Sequence, residues 1–208
     1  RLGRYGAMVQ IGTKDDEEKP RFAKLQENQS IETITLGAGC FWCVENIFSR
    51  INGVKSVISG YADGDIANPS YQQVKTGTTN YAEVVQLTFD TEQVSLEQIL
   101  VVFFAIHDPT TLNRQGDDIG SQYRSTILVH AEEQQVTAEQ KIAQLTAQTS
   151  FSNPIVTTIK TVNNFHSAES YHQGYVTNNP ENQYCQLVVA RKIQKFLQDF
   201  SYLLKEAA

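Results

Sequence analysis

Cys40 and Cys43, in the run Gly39-Cys40-Phe41-Trp42-Cys43-Val44-Glu45, are the two residues best spaced for chemistry in this chain. A Cys-x-x-Cys pair either cycles between dithiol and disulfide or gives two ligands to a metal. Before it, Glu32 to Ala38 alternates as a strand does, until Gly37 and Gly39 break the pattern. After it, Phe41, Val44, Phe48 and Ile51 recur at helical spacing until Asn52-Gly53. Cys40 therefore falls at a helix start, where unpaired N–H groups and the positive end of the dipole favour an anion. The expectation is a thiol whose pKa is drawn below its ordinary value of about 8.5. Cys43 stands one turn later on the same face, within reach of a disulfide. Zinc would need two more ligands; Cys185 with His166 or His172 offers them, but without the paired short spacing of zinc sites. A general thioredoxin-like oxidoreductase also carries such a pair at a helix start. The bulky Phe41-Trp42 filler and the lack of a preceding βαβ unit suit it less well. The motif by itself supports thiol redox chemistry, with that oxidoreductase as the rival.

The remaining pattern supplies a scaffold. Val54–Tyr61 and Tyr81–Phe89 read as strands, separated by turns at Asp63-Gly64 and Asn68-Pro69. Ser95 and Gln98 form a capping box for a helix reaching about His107, just before Asp108-Pro109. Ser125–His130 and Ile155–Lys160 read as strands around a helix at 132–149. A short helix at Glu169–Val176 precedes a last one with Ile193, Phe196, Leu197, Phe200 and Leu203 on one face. Helices and strands mix without strict alternation, so the predicted fold is α+β, one catalytic domain over residues 31–208 on a mixed sheet. Residues 1–30 form a polar lead-in, extended or poorly ordered. The chain begins at Arg1 with its only methionine at Met8, so the first residues read as an expression remnant or the edge of a trimmed precursor. With 40% hydrophobic and 19% charged residues the composition is that of a globular protein. The net charge of −6 disfavours nucleic acid, and no apolar run or signal core suggests a membrane or secretion. Three cysteines are too few for a secreted disulfide scaffold. A cytoplasmic, monomeric protein without metal or organic cofactor is expected.

The motif resembles the signature of the peptide methionine sulfoxide reductase A family, Gly39-Cys40-Phe41-Trp42 followed by Glu45. The likeness runs on through Gly60-Tyr61-Ala62, Asn68-Pro69-Ser70-Tyr71, Tyr81-Ala82-Glu83-Val84 and His107-Asp108-Pro109 to Gly116. It continues in Asp118-Ile119-Gly120-Ser121-Gln122-Tyr123-Arg124-Ser125 and Ala168-Glu169-Ser170-Tyr171-His172-Gln173. The resemblance implies a ferredoxin-like two-layer core and reduction of the S epimer of methionine sulfoxide, free or in proteins, with thioredoxin as reductant. Cys40 is then the nucleophile and Glu83 the acid that protonates the departing oxygen. Burial in a partly apolar cleft would raise the Glu83 pKa enough to hold that proton. As a strand residue beside Val84-Val85, Glu83 points to either face on the sequence alone.

Tyr61 and Tyr123 correspond to family tyrosines that hydrogen-bond the substrate oxygen, and Asp118 to an aspartate that organises the site. Phe41 and Trp42 would wall the S-methyl pocket, while His107 and His172 read as structural hydrogen-bonders. A sulfenic acid on Cys40 must be resolved by a second cysteine. Cys43 is the first choice on geometry and Cys185 the alternative or the end of a relay. The chain departs from the family at Asp63, where glycine is usual, at Tyr81 for histidine and at Asp117 for asparagine. Tyr81 is expected to reshape the rim, and Asp117 to raise a neighbouring pKa.

Overall fold

The structure is a computed structural model that describes residues 30–205. Before them it describes the backbone of β1 (Leu2–Gly3), β2 (Gly6–Ile11) and β3 (Arg21–Lys24), an antiparallel sheet of their own. The rest of the expected lead-in lies outside the described residues. Then follow β4 (Ile31–Ala38), α1 (Phe41–Phe48), β5 (Val54–Ala62), α2 (Tyr71–Lys75), β6 (Ala82–Asp90) and α3 (Leu96–Ala105). The ribbon β7 (Arg114–Gln115) and β8 (Asp118–Ile119) leads into a 3-10 turn at Ser121–Tyr123 and β9 (Ser125–Val129). Last come α4 (Glu132–Ala147), β10 (Thr158–Thr161), β11 (Phe165–Ser167), α5 (Tyr175–Asn178) and α6 (Ala190–Asp199). A π-helical turn, Cys185–Val189, runs directly into α6.

Six strands form the main sheet in the order β10-β9-β4-β6-β5-β11, with β9 and β10 parallel and every other pair antiparallel. The fold is α+β on a mixed sheet, as the pattern predicts. Strand parity divides β6: Val85, Leu87 and Phe89 join Ile34 and Leu36 of β4 in the main core, while Ala82 and Val84 pack with Leu128 on the opposite face. Phe41, Val44, Ile47 and Phe48 of α1 enter the same core as Ile99 and Phe103 of α3 and Phe196 of α6. Burial of each such side chain stabilises the fold by roughly 1.5–3 kcal/mol.

Some boundaries differ from the pattern, each for a visible reason. The first helix stops at Phe48 rather than Ile51, yet Ile51 stays fully buried because it bridges to Leu204 of the C-terminal segment. The strand expected from Ile155 begins at Thr158, since the Val156 N–H is taken by the Pro109 carbonyl at 2.8 Å. The helix expected over Glu169–Val176 is a 3-10 turn, Ser170–His172, and the short α5, divided by Gly174 at φ 63°. Helix α2 was not foreseen, although Ser70 and Gln73 form the same reciprocal capping box that marks α3 at Ser95 and Gln98.

Candidate active site

Cys40 caps α1. Gly39 ends the strand at φ 86°, and a Cβ there would fall 2.6 Å from Gln115 Cγ, so only glycine lets the β7–β8 ribbon come this close. The cap has no side-chain hydrogen bond of its own. Instead the Phe41 N–H, one of the unpaired donors of the helix start, donates to Glu83 Oε2 at 3.2 Å. This is where the parity of β6 matters: Glu83 shares the face of Val85 and Leu87, so its carboxyl reaches α1 and is 2% exposed.

The electrostatics correct one expectation. The Cys40 pKa is raised well above the ordinary thiol value, first by its hydrogen bond to the Cys43 thiol, then by burial and by the nearby Asp118 carboxylate. The Trp42 N–H opposes this but does not prevail. The same thiol–thiol bond lowers Cys43, helped by Lys192. A helix start therefore does not by itself make a thiolate when the sulfur is packed among acids and a second thiol. Glu83 is also raised well above the usual carboxylate range, by burial first and then by Cys40. Like-charge repulsion between the two groups disfavours ionising both.

Three tyrosines surround this pair, and their hydroxyls are used differently. Tyr61 stands directly opposite Glu83 in the β5–β6 register but is fully buried, and its hydroxyl donates to Glu169 Oε2 at 2.7 Å. Tyr71, the first residue of α2, is given no role by the sequence reading. Its hydroxyl is pushed up to about 12 by burial and then by Glu83 and Cys40, which marks it as their neighbour. Tyr123 is raised by burial and then by Glu83 and Asp118. The segments carrying Tyr71 and Tyr123 are pinned together: Gln122 Nε2 donates to the Lys75 carbonyl at 3.2 Å and Ser121 Oγ to that of Gly77 at 3.1 Å. Glu169 completes the frame by accepting from the Tyr71 N–H at 2.9 Å.

The departures at Asp63, Tyr81 and Asp117 resolve into local structure. Asp63 adopts φ 60°, the conformation the family's glycine makes easy, and its carboxylate pairs with Arg124 at 3.0 Å and Lys160 at 2.8 Å. It thereby ties the loop after Tyr61 to the residue after Tyr123. Asp63→Asn keeps a side chain tolerant of that backbone but removes the charge facing a mostly buried guanidinium. The expected cost is about 1–2 kcal/mol of stability, read as a lower urea midpoint at unchanged slope. Tyr81 does not reshape the rim: it is 1% exposed, lies under Gly64 and donates to the Ile66 carbonyl at 2.5 Å. Asp117 is exposed, and it is Asp118 that acts on Cys40, Glu83 and Tyr123.

The C-terminal segment covers the other side of Cys40. Phe41 is buried against Tyr61 and His172 with ring centroids 5.8 and 5.1 Å away. Trp42, half-buried, stacks on Tyr175 at 3.7 Å and donates its Nε1–H to His172 Nδ1 at 3.0 Å. Tyr184 donates to Asp118 Oδ2 at 3.0 Å, which holds the neighbouring Cys185 in one buried cluster with Cys43 and Val189. All three cysteines are free thiols. His107 is buried between the Phe103 carbonyl at 2.6 Å and Ser125 Oγ at 2.7 Å. Among the described residues, no group of three or more His, Cys, Asp or Glu is arranged to hold a metal ion. No described helix is long and apolar enough to cross a membrane.

A cysteine at a helix start, backed by a buried carboxylic acid and two further thiols, is the site of a thiol-based oxidoreductase. A family model described as peptide methionine sulfoxide reductase matches residues 32–203. The peptide methionine sulfoxide reductase MsrA of Trichodesmium erythraeum is 49% identical over 170 residues, 82% of this chain and 96% of its own. That of Nitratiruptor sp. is 50% identical over 174 residues, 84% and 99% of the two chains. Among solved structures, Mxr1 from Saccharomyces cerevisiae in reduced form has a TM-score of 0.69 at 34% identity, covering 78% of this chain and 92% of its own. Methionine sulfoxide reductase A of Corynebacterium diphtheriae has a TM-score of 0.65 at 33% identity, covering 73% and 76%. The chain belongs to the peptide methionine sulfoxide reductase family.

Proposed function

We propose that this protein reduces the S epimer of methionine sulfoxide, free or in polypeptides, through a sulfenic acid on Cys40, with thioredoxin restoring the thiols. The observation that carries this reading is the Phe41 N–H to Glu83 bond, which sets a buried carboxyl of raised pKa at the start of the helix bearing the nucleophile. Glu83 donates to the sulfoxide oxygen and makes its sulfur electrophilic. Tyr71 and Tyr123, whose hydroxyls neighbour Glu83, add neutral donors to the same oxygen. Tyr61 takes a positioning role through Glu169 instead of donating directly. Cys40 loses its proton and attacks, oxygen transfers, and the products are Cys40–SOH and methionine. The Glu83 proton passes to the transferred oxygen and the thiol proton restores Glu83, so the step balances without a further donor. Phe41 and Trp42 form the apolar wall against the S-methyl group, and Asp118 organises the site by holding Tyr184. The β4-α1-β5-β6-α3-β9 succession supports a ferredoxin-like core, and residues 31–208 act as one catalytic domain.

Resolution follows from the thiol pairing. Cys43 lies one turn from Cys40, its N–H bonded to the Cys40 carbonyl at 3.3 Å, and its lowered pKa makes it the readier thiolate. It condenses with the sulfenic acid, releasing water and leaving a Cys40–Cys43 disulfide. Cys185, packed against Cys43, can then exchange into that bond and carry the disulfide toward the reductant. Peptide mapping of Cys185→Ser after one equivalent of sulfoxide should recover Cys40 linked to Cys43, with methionine released as fast as in the unmodified protein. Cys40 found linked only to Cys185 in the parent protein would refute this order. The overall reading is tested by NADPH oxidation in the presence of thioredoxin and its reductase. Methionine S-sulfoxide should drive it and the R epimer should not; equal response to both, or to neither, contradicts the proposal.

A further inference from the structure

A cavity of about 330 Å³ lies between the end of α3 and α6, away from the groups that handle the sulfoxide. His107, Asp108 and Gln115 form one wall, and Lys192, Lys195 and Phe196 the other. Gln115 is the residue that packs against Gly39, so the cavity runs behind the start of α1. Lys192 follows Val189 by one turn and shares the helix face that Val189 packs on Cys43 and Cys185. It is half-buried, and among the described residues it forms no ion pair. The Asp108 carboxylate across the cavity accepts instead from the Thr110 N–H and hydroxyl, at 2.9 and 2.6 Å. His107 is uncharged at neutral pH, since burial and then Lys192 push its pKa down to about 4. A lysine that only covers apolar surface sends its ammonium into water. The charge of Lys192 acts instead on buried groups to either side of it, Cys43 and His107.

An unpaired ammonium at this point supplies a counter-charge. To resolve the sulfenic acid, Cys43 gives its proton to solvent and its sulfur attacks that of Cys40. The S–S bond forms, the S–O bond breaks, and the departing hydroxide takes up a proton as water. The groups facing Cys43 are Cys40 on its own helix, Asp118 from β8, Tyr184 and Cys185 from the C-terminal segment, and Lys192 from α6. Of these, Lys192 alone can carry positive charge. We infer that Lys192 is a positioning residue for the resolving step: its ammonium, held in the recess behind α1, stabilises the Cys43 thiolate that attacks the Cys40 sulfenic acid. This rests on the reading in which Cys43, before Cys185, closes the first disulfide. Oxygen transfer itself, which uses Cys40 and Glu83, does not call on Lys192.

The test compares Lys192→Met and Lys192→Gln, which remove the charge, with Lys192→Arg, which keeps it. Two neutral variants are made so that the result does not hang on one of them folding. In a Cys40→Ser, Cys185→Ser background Cys43 is the only thiol, and its thiolate absorbance is titrated directly. The midpoint should rise by about one pH unit in the Met and Gln variants and stay close to the parent's in the Arg variant. Formation of the Cys40–Cys43 disulfide is then followed in Cys185→Ser after one equivalent of methionine S-sulfoxide. At pH 6 the neutral variants should resolve about threefold more slowly, because tenfold fewer thiolates are offset about threefold by a more nucleophilic sulfur. At pH 9.5, with the thiol largely ionised, they should be as fast as the parent or faster. A helix loosened by the substitution would slow resolution at both pH values. An unchanged midpoint, or resolution at pH 6 as fast as in the parent, or equal slowing at both pH values overturns the role of Lys192 alone. Failure of Cys185→Ser to form any Cys40–Cys43 disulfide overturns the Cys43-first reading and this inference together.

Discussion

Cys40→Ser should abolish sulfoxide reduction, lowering the rate of methionine formation by at least about 10⁴-fold, or roughly 5.5 kcal/mol of barrier. The reason lies in the products. Transfer of oxygen to sulfur gives a sulfenic acid that a neighbouring thiol can reduce, whereas a serine oxygen has no such oxidised form to pass on. Cys43 is a poor replacement, because it is 3% exposed and sits a turn deeper in α1, packed with Cys185 and Val189. The fold should not be at issue. Cys40 is only half-buried and makes no side-chain cap bond to its helix, so the variant's urea midpoint should stay within about 0.5 kcal/mol of the parent's. Methionine formed from the S-sulfoxide, quantified by chromatography with dithiothreitol as reductant, checks the loss without depending on thioredoxin.

Glu83→Gln should lower the rate by about 10²- to 10⁴-fold while leaving the start of α1 intact. The amide oxygen still accepts from the Phe41 N–H, so the substitution removes the transferable proton and little else. The pH profile separates this role from a structural one. Because burial and Cys40 raise the Glu83 pKa, the parent enzyme works while Glu83 is protonated and loses activity as pH rises through that raised value. The glutamine variant should lack this alkaline limb. Stability follows the same sign. A carboxyl whose pKa is higher in the folded than in the unfolded chain contributes fully below about pH 4.3, its unfolded value. That contribution is lost as pH rises through the raised value. Urea midpoints at pH 6 and pH 9 should therefore fall more in the parent than in Glu83→Gln.

Much of this site can be read from residue order, and what cannot has identifiable physical causes. The placement of Cys40 at a helix start follows from Gly37, Gly39 and the spacing of Phe41, Val44 and Phe48, all local signals. Helix α2 carried an equally local signal in Ser70 and Gln73, and recognising it would have drawn attention to Tyr71 at its first turn. The face of Glu83 was ambiguous beside two valines. It is decided by Val85, Leu87 and Phe89, whose shared parity turns the carboxyl toward α1. The division of labour between Tyr61 and Tyr71 depends on Glu169, 108 residues from Tyr61, and no local pattern contains that contact. The raised Cys40 pKa likewise depends on Cys43 and Asp118 meeting in space, against a dipole argument that considered α1 alone. Asp63 shows how one departure from the family can be absorbed, its φ of 60° accompanied by ion pairs to Arg124 and Lys160.

Single-turnover oxygen transfer tests the central claim most directly. The double variant Cys43→Ser, Cys185→Ser leaves Cys40 as the only thiol, so its sulfenic acid has no partner in the chain. Mixed with excess methionine S-sulfoxide and no reductant, it should release one methionine per protein. Intact-mass analysis should find one added oxygen, removed by Cys40→Ser and trapped by a sulfenic-acid reagent. Methionine released without oxygen gained at Cys40, or no methionine released by the correctly folded variant, would contradict the account.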